Sequence, residues 1–236
     1  MNPTEIRKYL NRLNKGKSEE SIFTRPISKT VDLAKVWFKS PKKDATINSS
    51  VISHDFFFIK NSMGIYVSGI YDMGYDLHWY VLPKYRKQGY LSNALKNTIL
   101  PYIFDYLREV QYISISESIG KVNYNNSLKV ASNLGFSPSK TDETQLELSN
   151  TDFELKNVDL FYQNKGLNES RVNILRQKVN YASKLLMQES DELNMAFDSD
   201  DNLSDIAKEV YSFTAKIEDL MFNNDQSDAY NTKSSN

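Results

Sequence analysis

The residues best suited to chemistry cluster in one stretch, residues 77–95, which reads LHWYVLPKYRKQGYLSNAL. An aromatic, apolar run with the look of a strand stops at Pro83. The basic loop Lys84-Tyr85-Arg86-Lys87-Gln88 follows, and Gly89 opens a helix with Ser92 in its first turn. A helix N-terminus presents N–H groups that have no intrahelical acceptor, together with the positive end of the helix dipole. Glycine there lets backbone close on a phosphate, and neighbouring Arg and Lys add charge. On its residues alone the segment reads either as an anion cradle, suited to a pyrophosphate, or as a basic surface link between strand and helix.

Composition narrows the chemistry around it. With no cysteine, disulfides, thiolate metal sites and cysteine nucleophiles are excluded, and the two histidines, His54 and His78, leave almost no means of building a histidine metal centre. Residues 1–150 carry a net charge of +6 and residues 151–236 one of −7. The basic part suits a small polyanion and is too weakly basic for nucleic acid; the acidic part reads as a solvated helix face. No apolar run approaches the roughly 18–20 residues of a membrane span, and the opening residues lack the apolar core of a secretory signal. A soluble cytoplasmic protein is expected, without nucleic-acid or membrane partners.

The elements that must position residues 77–95 are legible from periodicity. Residues 4–14 predict an amphipathic helix, residues 21–27 an edge strand ended by Pro26, and residues 30–39 a second helix with Leu33, Val36 and Trp37 on one side. Residues 51–60 and 64–73 predict a hairpin, and residues 77–82 a third strand. A helix over 89–108 is expected to kink or restart at Pro101. A strand over 112–116, a helix over 127–134 ended by Gly135, and a strand over 144–148 complete a mixed, mostly antiparallel sheet flanked by helices. This is an α/β (α+β) body over 1–150. Beyond it, apolar residues at steps of three and four (Val172 to Leu186, Leu203 to Leu220) predict a helical hairpin over 151–222, turning at 198–202. A disordered tail is expected over 223–236.

Two blocks resemble the GNAT superfamily of acyl-CoA N-acyltransferases. The family's cofactor motif is Arg/Gln-x-x-Gly-x-Gly/Ala; here it reads Arg86-Lys87-Gln88-Gly89-Tyr90-Leu91, preceded by Val81-x-Pro83-x-Tyr85. Leu91 stands where the family carries a small residue. The second block, SLKVASNLGF over 127–136, resembles the helix and Gly-Phe ending beside the cofactor's pantetheine arm. The resemblance spans about residues 51–148 and implies a GNAT-like fold.

The resemblance also implies roles. The backbone of Trp79 to Val81 would hydrogen-bond the pantetheine, and Arg86, Lys87, Gln88, Gly89, Tyr90, Leu91 and Ser92 would hold the pyrophosphate. The 123–127 region, with Asn126, would line the thioester end. Amine attack on the acetyl thioester needs a deprotonated amine, a donor to the developing oxyanion and an acid for the leaving thiolate. By resemblance the oxyanion donor is the N–H of Val81. The acid is Ser127 first and Tyr124 second, with a helix N-cap as the alternative role for Ser127; the family's tyrosine position is Ala131 here. Asp76, His78 and Glu117 lie near strand ends where a base is needed, with Glu117 the carboxylate best placed to accept a proton directly or through water.

The function expected is acetyl-CoA-dependent N-acetyltransfer to a primary amine, acetyl-CoA being the acyl donor and the acceptor unassigned. A non-catalytic GNAT-fold module is the alternative, acting through C-terminal helices that pair with a protein partner or with a second copy as a homodimer.

Overall fold

The computed structural model describes residues 3–17, 21–42, 52–142, 144–154, 158–161, 166–198 and 202–233. It divides into two compact units, residues 1–163 and 164–236. The first unit is a mixed α/β body. Helix α1 (Pro3–Asn14) precedes strands β1 (Ile22–Pro26), β2 (Val31–Trp37), β3 (Ser53–Lys60), β4 (Tyr66–Asp72) and β5 (Leu77–Val81), which form an antiparallel sheet in that order.

Residues 31–37, expected as helix, are strand β2. Its Leu33, Val36 and Trp37 do fall at helical spacing, but β2 lies between β1 and β3 with residues from both its faces buried. An interior strand has no clean period-two pattern, so pairing overrides the helical reading. The same double burial explains Phe56, Phe57 and Phe58 of β3, all inaccessible. Phe56 and Phe58 pack with Ile6, Tyr9 and Leu10 of α1, while Phe57 faces a second core with Ile70, Leu77, Leu95 and Ile99. Residue 51, included in the expected strand, lies outside the described residues.

The helix expected over 89–108 is α2 (Tyr90–Ala94), a π-turn over Leu95–Ile99 and α3 (Leu100–Tyr106). The wide turn accommodates Pro101, which has no N–H to give the preceding turn. Asn97, four residues before the proline, accepts instead from the N–H of Asp159 at 2.8 Å. This bond, a second from Phe161 N–H to Ile27 O, and buried Phe153 explain why the first unit reaches past 150.

Strand β6 (Val110–Ser114), helix α4 (Lys121–Asn133), the short β7 (Ser137–Pro138) and β8 (Gln145–Ser149) complete the unit. The last three strands form a separate antiparallel sheet in the order β6-β8-β7. Helix α4 begins six residues before the expected start at Ser127 and ends, as expected, at Gly135, with φ +96°. The second unit is α5 (Glu169–Phe197), capped by the Asn168 side chain, and α6 (Leu203–Lys233). The Ser183 hydroxyl donates to Ala207 O at 2.7 Å between them. Residues 199–201 of the expected turn lie outside the described residues. The expected tail begins within α6, whose helical backbone runs to Lys233; residues 234–236 are not described. Among the described residues no helix is long and apolar enough to cross a membrane.

Candidate functional site

Where β5 meets β6, one isolated parallel bridge among the described residues, between Asp76 and Tyr112, joins the backbones of the two sheets. Tyr112 N–H donates to Tyr75 O at 3.0 Å, and Ser114 N–H donates to the Asp76 carboxylate at 3.0 Å rather than to a β5 carbonyl. Arg108 braces this junction with two bonds to Asp72, at 2.9 and 3.1 Å, and others to Gln111, whose amide reaches Tyr75 O. Burial pushes the Asp72 carboxyl up, and the Arg108 guanidinium only partly offsets it.

Past Asp76 the strands belong to different sheets. Antiparallel ladders alternate the side to which main-chain groups point. Met73 N–H donates to Asp76 O and Leu82 N–H to Val67 O, both at 3.0 Å. Residues 76, 78, 80 and 82 therefore turn their main-chain groups to β4, and Leu77, Trp79 and Val81 turn theirs toward β6. The Val81 carbonyl on that open side accepts from Arg86 Nε at 3.1 Å.

At the end of β5, Pro83 opens a single 3-10 turn, Pro83–Tyr85. Lys87 then takes a left-handed conformation, φ +59°, rare for a side chain with a Cβ. Gly89 follows at φ +82° as the N-cap of α2, and the first helical bond runs from Asn93 N–H to Gly89 O. The N–H groups of Tyr90, Leu91 and Ser92 precede that bond and are the helix's free donors. Gln88 knits the loop by donating to Lys84 O at 2.8 Å, and Lys84 lies 4.7 Å over the Tyr85 ring.

A cleft of about 690 Å³ runs along these groups, with α4 as its other wall. Trp79, Val81, Arg86, Lys87, Gly89, Tyr90, Leu91, Ser92, Asn126 and Ser127 all border it, so most of the residues singled out in the sequence converge on one surface. Among its described walls are three cations, Arg86, Lys87 and Lys129, and no carboxylate. That composition suits a polyanion. Across the cleft the indole N–H of Trp79 meets Ser127 Oγ at 3.4 Å.

With the geometry in place, comparison with known proteins adds a likeness. The chain is similar to solved spermidine N-acetyltransferases. One is a mutant form of the spermidine/spermine N-acetyltransferase SpeG from Vibrio cholerae, at 10% identity and a TM-score of 0.35, covering 64% of this chain and 92% of that one. Another mutant of the same enzyme shows 12% identity and a TM-score of 0.34, over 63% and 92%. No family model matches this chain, and no curated protein does.

Five singled-out residues lie off the cleft wall, among them Asp76 and His78 beside the bridge to β6. Gln88 is spent within the loop. Tyr124 is half-buried on α4, beside the lining stripe and not within it. Glu117 is exposed in a 3-10 turn, Glu117–Ile119. Ser127 is not an N-cap: it lies in the middle of α4, whose N-cap is Gly120. Ala131 is fully inaccessible in the core. Leu91 also packs into that core and is buried, which keeps its bulk from blocking the helix start.

Ile119, Lys129, Val130 and Asn133 also border the cleft and were not singled out in the sequence. Asn123, Asn126, Ser127 and Val130 form an i, i+3, i+4, i+7 stripe, the signature of one helix face. The signal was present, but only with the helix started at Lys121.

Proposed function

We propose that this chain transfers the acetyl group of acetyl-CoA to a primary amine by direct attack on the thioester. The observation that carries this reading is the gap past the Asp76–Tyr112 bridge. The main-chain groups of Trp79 and Val81 are turned into it, and it opens at one end onto the start of α2. A long cleft with cations and free N–H groups at one end, and apolar walls with strand amides at the other, fits a diphosphate joined to a pantetheine arm.

In this reading the N–H groups of Tyr90, Leu91 and Ser92 bind the pyrophosphate, reinforced by Arg86, Lys87 and Lys129. The glycine at 89 keeps that approach free of side chain. Trp79 and Val81 extend the strand pattern to the pantetheine amides, and the Val81 N–H stabilises charge developing on the thioester carbonyl oxygen. Ser127 Oγ accepts from Trp79, so its own hydrogen is available to the leaving sulfur.

The acceptor class is read by assaying thiol release from acetyl-CoA with spermidine, an aminoglycoside, a peptide with a free N-terminus and a lysine peptide blocked at its N-terminus. Amine-dependent release that is lost in Gly89→Asp supports the reading. Release that is equal with and without every amine, in both proteins, contradicts it.

A further inference from the structure

The proposed transfer needs a group that takes a proton from the acceptor, because a primary alkylamine is an ammonium ion at neutral pH and has no lone pair to attack with. The cleft wall described above offers none: its ionisable groups are Arg86, Lys87, Lys129 and the phenols Tyr80, Tyr85 and Tyr90. Glu117 is exposed away from it. The opposite face of β5 is different.

Leu77, Trp79 and Val81 pack toward the core shared with α2 and α4, so alternation places His78, Tyr80 and Leu82 on the face covered by α1, with Tyr80 also bordering the cleft. His78 lies beside the point where β5 and β6 part. Its Nε2 is 3.3 Å from Asp76 Oδ2. The other oxygen, Oδ1, is fixed by Ser114 N–H of β6. Asp76 thus ties the last bridge between the sheets to an imidazole just beyond it. His78 remains about one-third exposed, whereas Asp76 is only 21% exposed. On the same face Tyr71 of β4 is the cross-strand partner of His78, and the Tyr71 hydroxyl is 3.0 Å from His54 Nδ1 of β3.

We propose that His78, oriented by Asp76, is the base that deprotonates the acceptor amine, which approaches the gap from the α1 face. This assignment rests on the acetyltransferase reading above. A carboxylate beside Nε2 selects the tautomer that carries its hydrogen there, leaving the lone pair on Nδ1. Burial alone would raise the Asp76 carboxyl, but donation from the His78 ring and from Ser114 N–H holds it below the usual carboxylate value, as a fixed acceptor for the ring requires.

The protons and electrons balance. His78 Nδ1 takes one proton from the ammonium, and the freed nitrogen lone pair forms the bond to the acetyl carbon. The carbon–sulfur bond breaks with its electron pair on sulfur. The sulfur takes a proton from the Ser127 hydroxyl, which regains one from water, and the second nitrogen proton and the one held by His78 both pass to water. The sum is ammonium plus thioester giving amide, thiol and one proton. Strand β5 stands between the two groups, with His78 on one face and Trp79 and Ser127 on the other, so base and acid do not compete.

The test compares an amine that must lose a proton with a nucleophile that need not. Transfer to the best amine of the panel above and to hydroxylamine, which is neutral at neutral pH, is measured for the unaltered protein, His78→Gln and Asp76→Asn. General bases contribute roughly 10²–10⁴ in rate, so the amine-to-hydroxylamine ratio of kcat/KM is expected to fall at least about tenfold in His78→Gln and less in Asp76→Asn. Reading a ratio separates loss of the base from loss of fold. Ring carbon and nitrogen shifts give a readout without turnover: the chain has only His54 and His78, so His54→Gln assigns the two signals. The Nε2–H tautomer of His78 is expected, and its preference is weakened in Asp76→Asn. An unaltered ratio in His78→Gln, or an Nδ1–H tautomer, overturns the assignment while leaving the acetyltransferase reading standing. An unaltered protein that transfers to neither nucleophile overturns both.

Discussion

The indole N–H of Trp79, on strand β5, lies 3.4 Å from the Oγ of Ser127, in the middle of helix α4. The two residues are 48 positions apart in the chain, and their contact spans the cleft that the rest of the site surrounds. An indole can only donate, so the contact sets the direction of the serine hydroxyl.

Ser127→Ala is expected to lower kcat by roughly 10²-fold or more, with acetyl-CoA affinity retained because the cradle at α2 is untouched. Trp79→Phe keeps the apolar wall and removes only the donor, so its loss in kcat is expected to be smaller. Steady-state kinetics beside calorimetric titration of acetyl-CoA separates the two quantities. A matching loss of affinity in Ser127→Ala would assign the serine to binding.

Asp32 has a fully buried side chain, bonded to Lys60 Nζ at 2.8 Å and to the Tyr66 hydroxyl at 2.5 Å. Burial, followed by the bond to Asp32, pushes the Tyr66 phenol far above its usual value. Removing the carboxylate leaves a largely buried ammonium without its partner. Asp32→Ala is therefore expected to cost about 3–5 kcal/mol, read from denaturant unfolding. Asp32→Leu combined with Lys60→Met is expected to recover much of it.

A Cβ built on Gly69 of β4 comes within 2.8 Å of Ile6 Cγ2 and 3.2 Å of the Phe58 ring. The absence of a side chain there is what lets α1 sit on the sheet. Gly69→Ala is expected to destabilise the fold by about 1–3 kcal/mol through overpacking, and Ile6→Ala placed in the same chain is expected to relieve part of that loss. Thermal unfolding of the single and double variants measures the coupling.

Asp76 supplies a pH dependence with a definite sign. Its folded carboxyl lies below the reference value of 3.8, so the ionised form contributes stability above that value and loses it as pH falls through the folded one. The gap in Tm between the unaltered protein and Asp76→Asn is expected to be widest near neutrality and to close as pH falls below about 3.8. Asp72, shifted in the opposite direction, is common to both proteins and drops out of the difference. A gap that stays constant into acid would show that Asp76 acts through packing rather than charge.

Much of this arrangement was legible in the sequence because it rests on local chemistry. Pro83, the basic run and Gly89 mark the loop by residue type, and the hairpin strands stand out by their Val, Ile, Tyr and Phe content and the turn between them. The misread elements are those decided at long range. Residues 31–37 became strand because β1 and β3 pair with them on either side. Helix α4 starts at Lys121 because Gly120, at φ +86°, turns the chain there, although Asn123, Asn125 and Asn126 are poor helix formers that locally suggest a loop. That early start removes the N-cap alternative for Ser127, setting it mid-helix on the cleft wall with Lys129 and Asn133. The placement of His78 against Asp76 depends on where two sheets separate, which no spacing in the sequence encodes.

The most direct test of the central claim is thermal unfolding with and without acetyl-CoA, for the unaltered protein and for Gly89→Asp, with ATP as a control anion. Ligand at about 100 times its Kd stabilises the folded state by roughly 2.7 kcal/mol, which for a chain of this size is a rise in Tm of about 5–10 °C. The account predicts that rise with acetyl-CoA and with CoA, not with ATP, and its loss when a carboxylate is placed at the left-handed cap of α2. No rise in the unaltered protein, or a rise that survives Gly89→Asp unchanged, would contradict it.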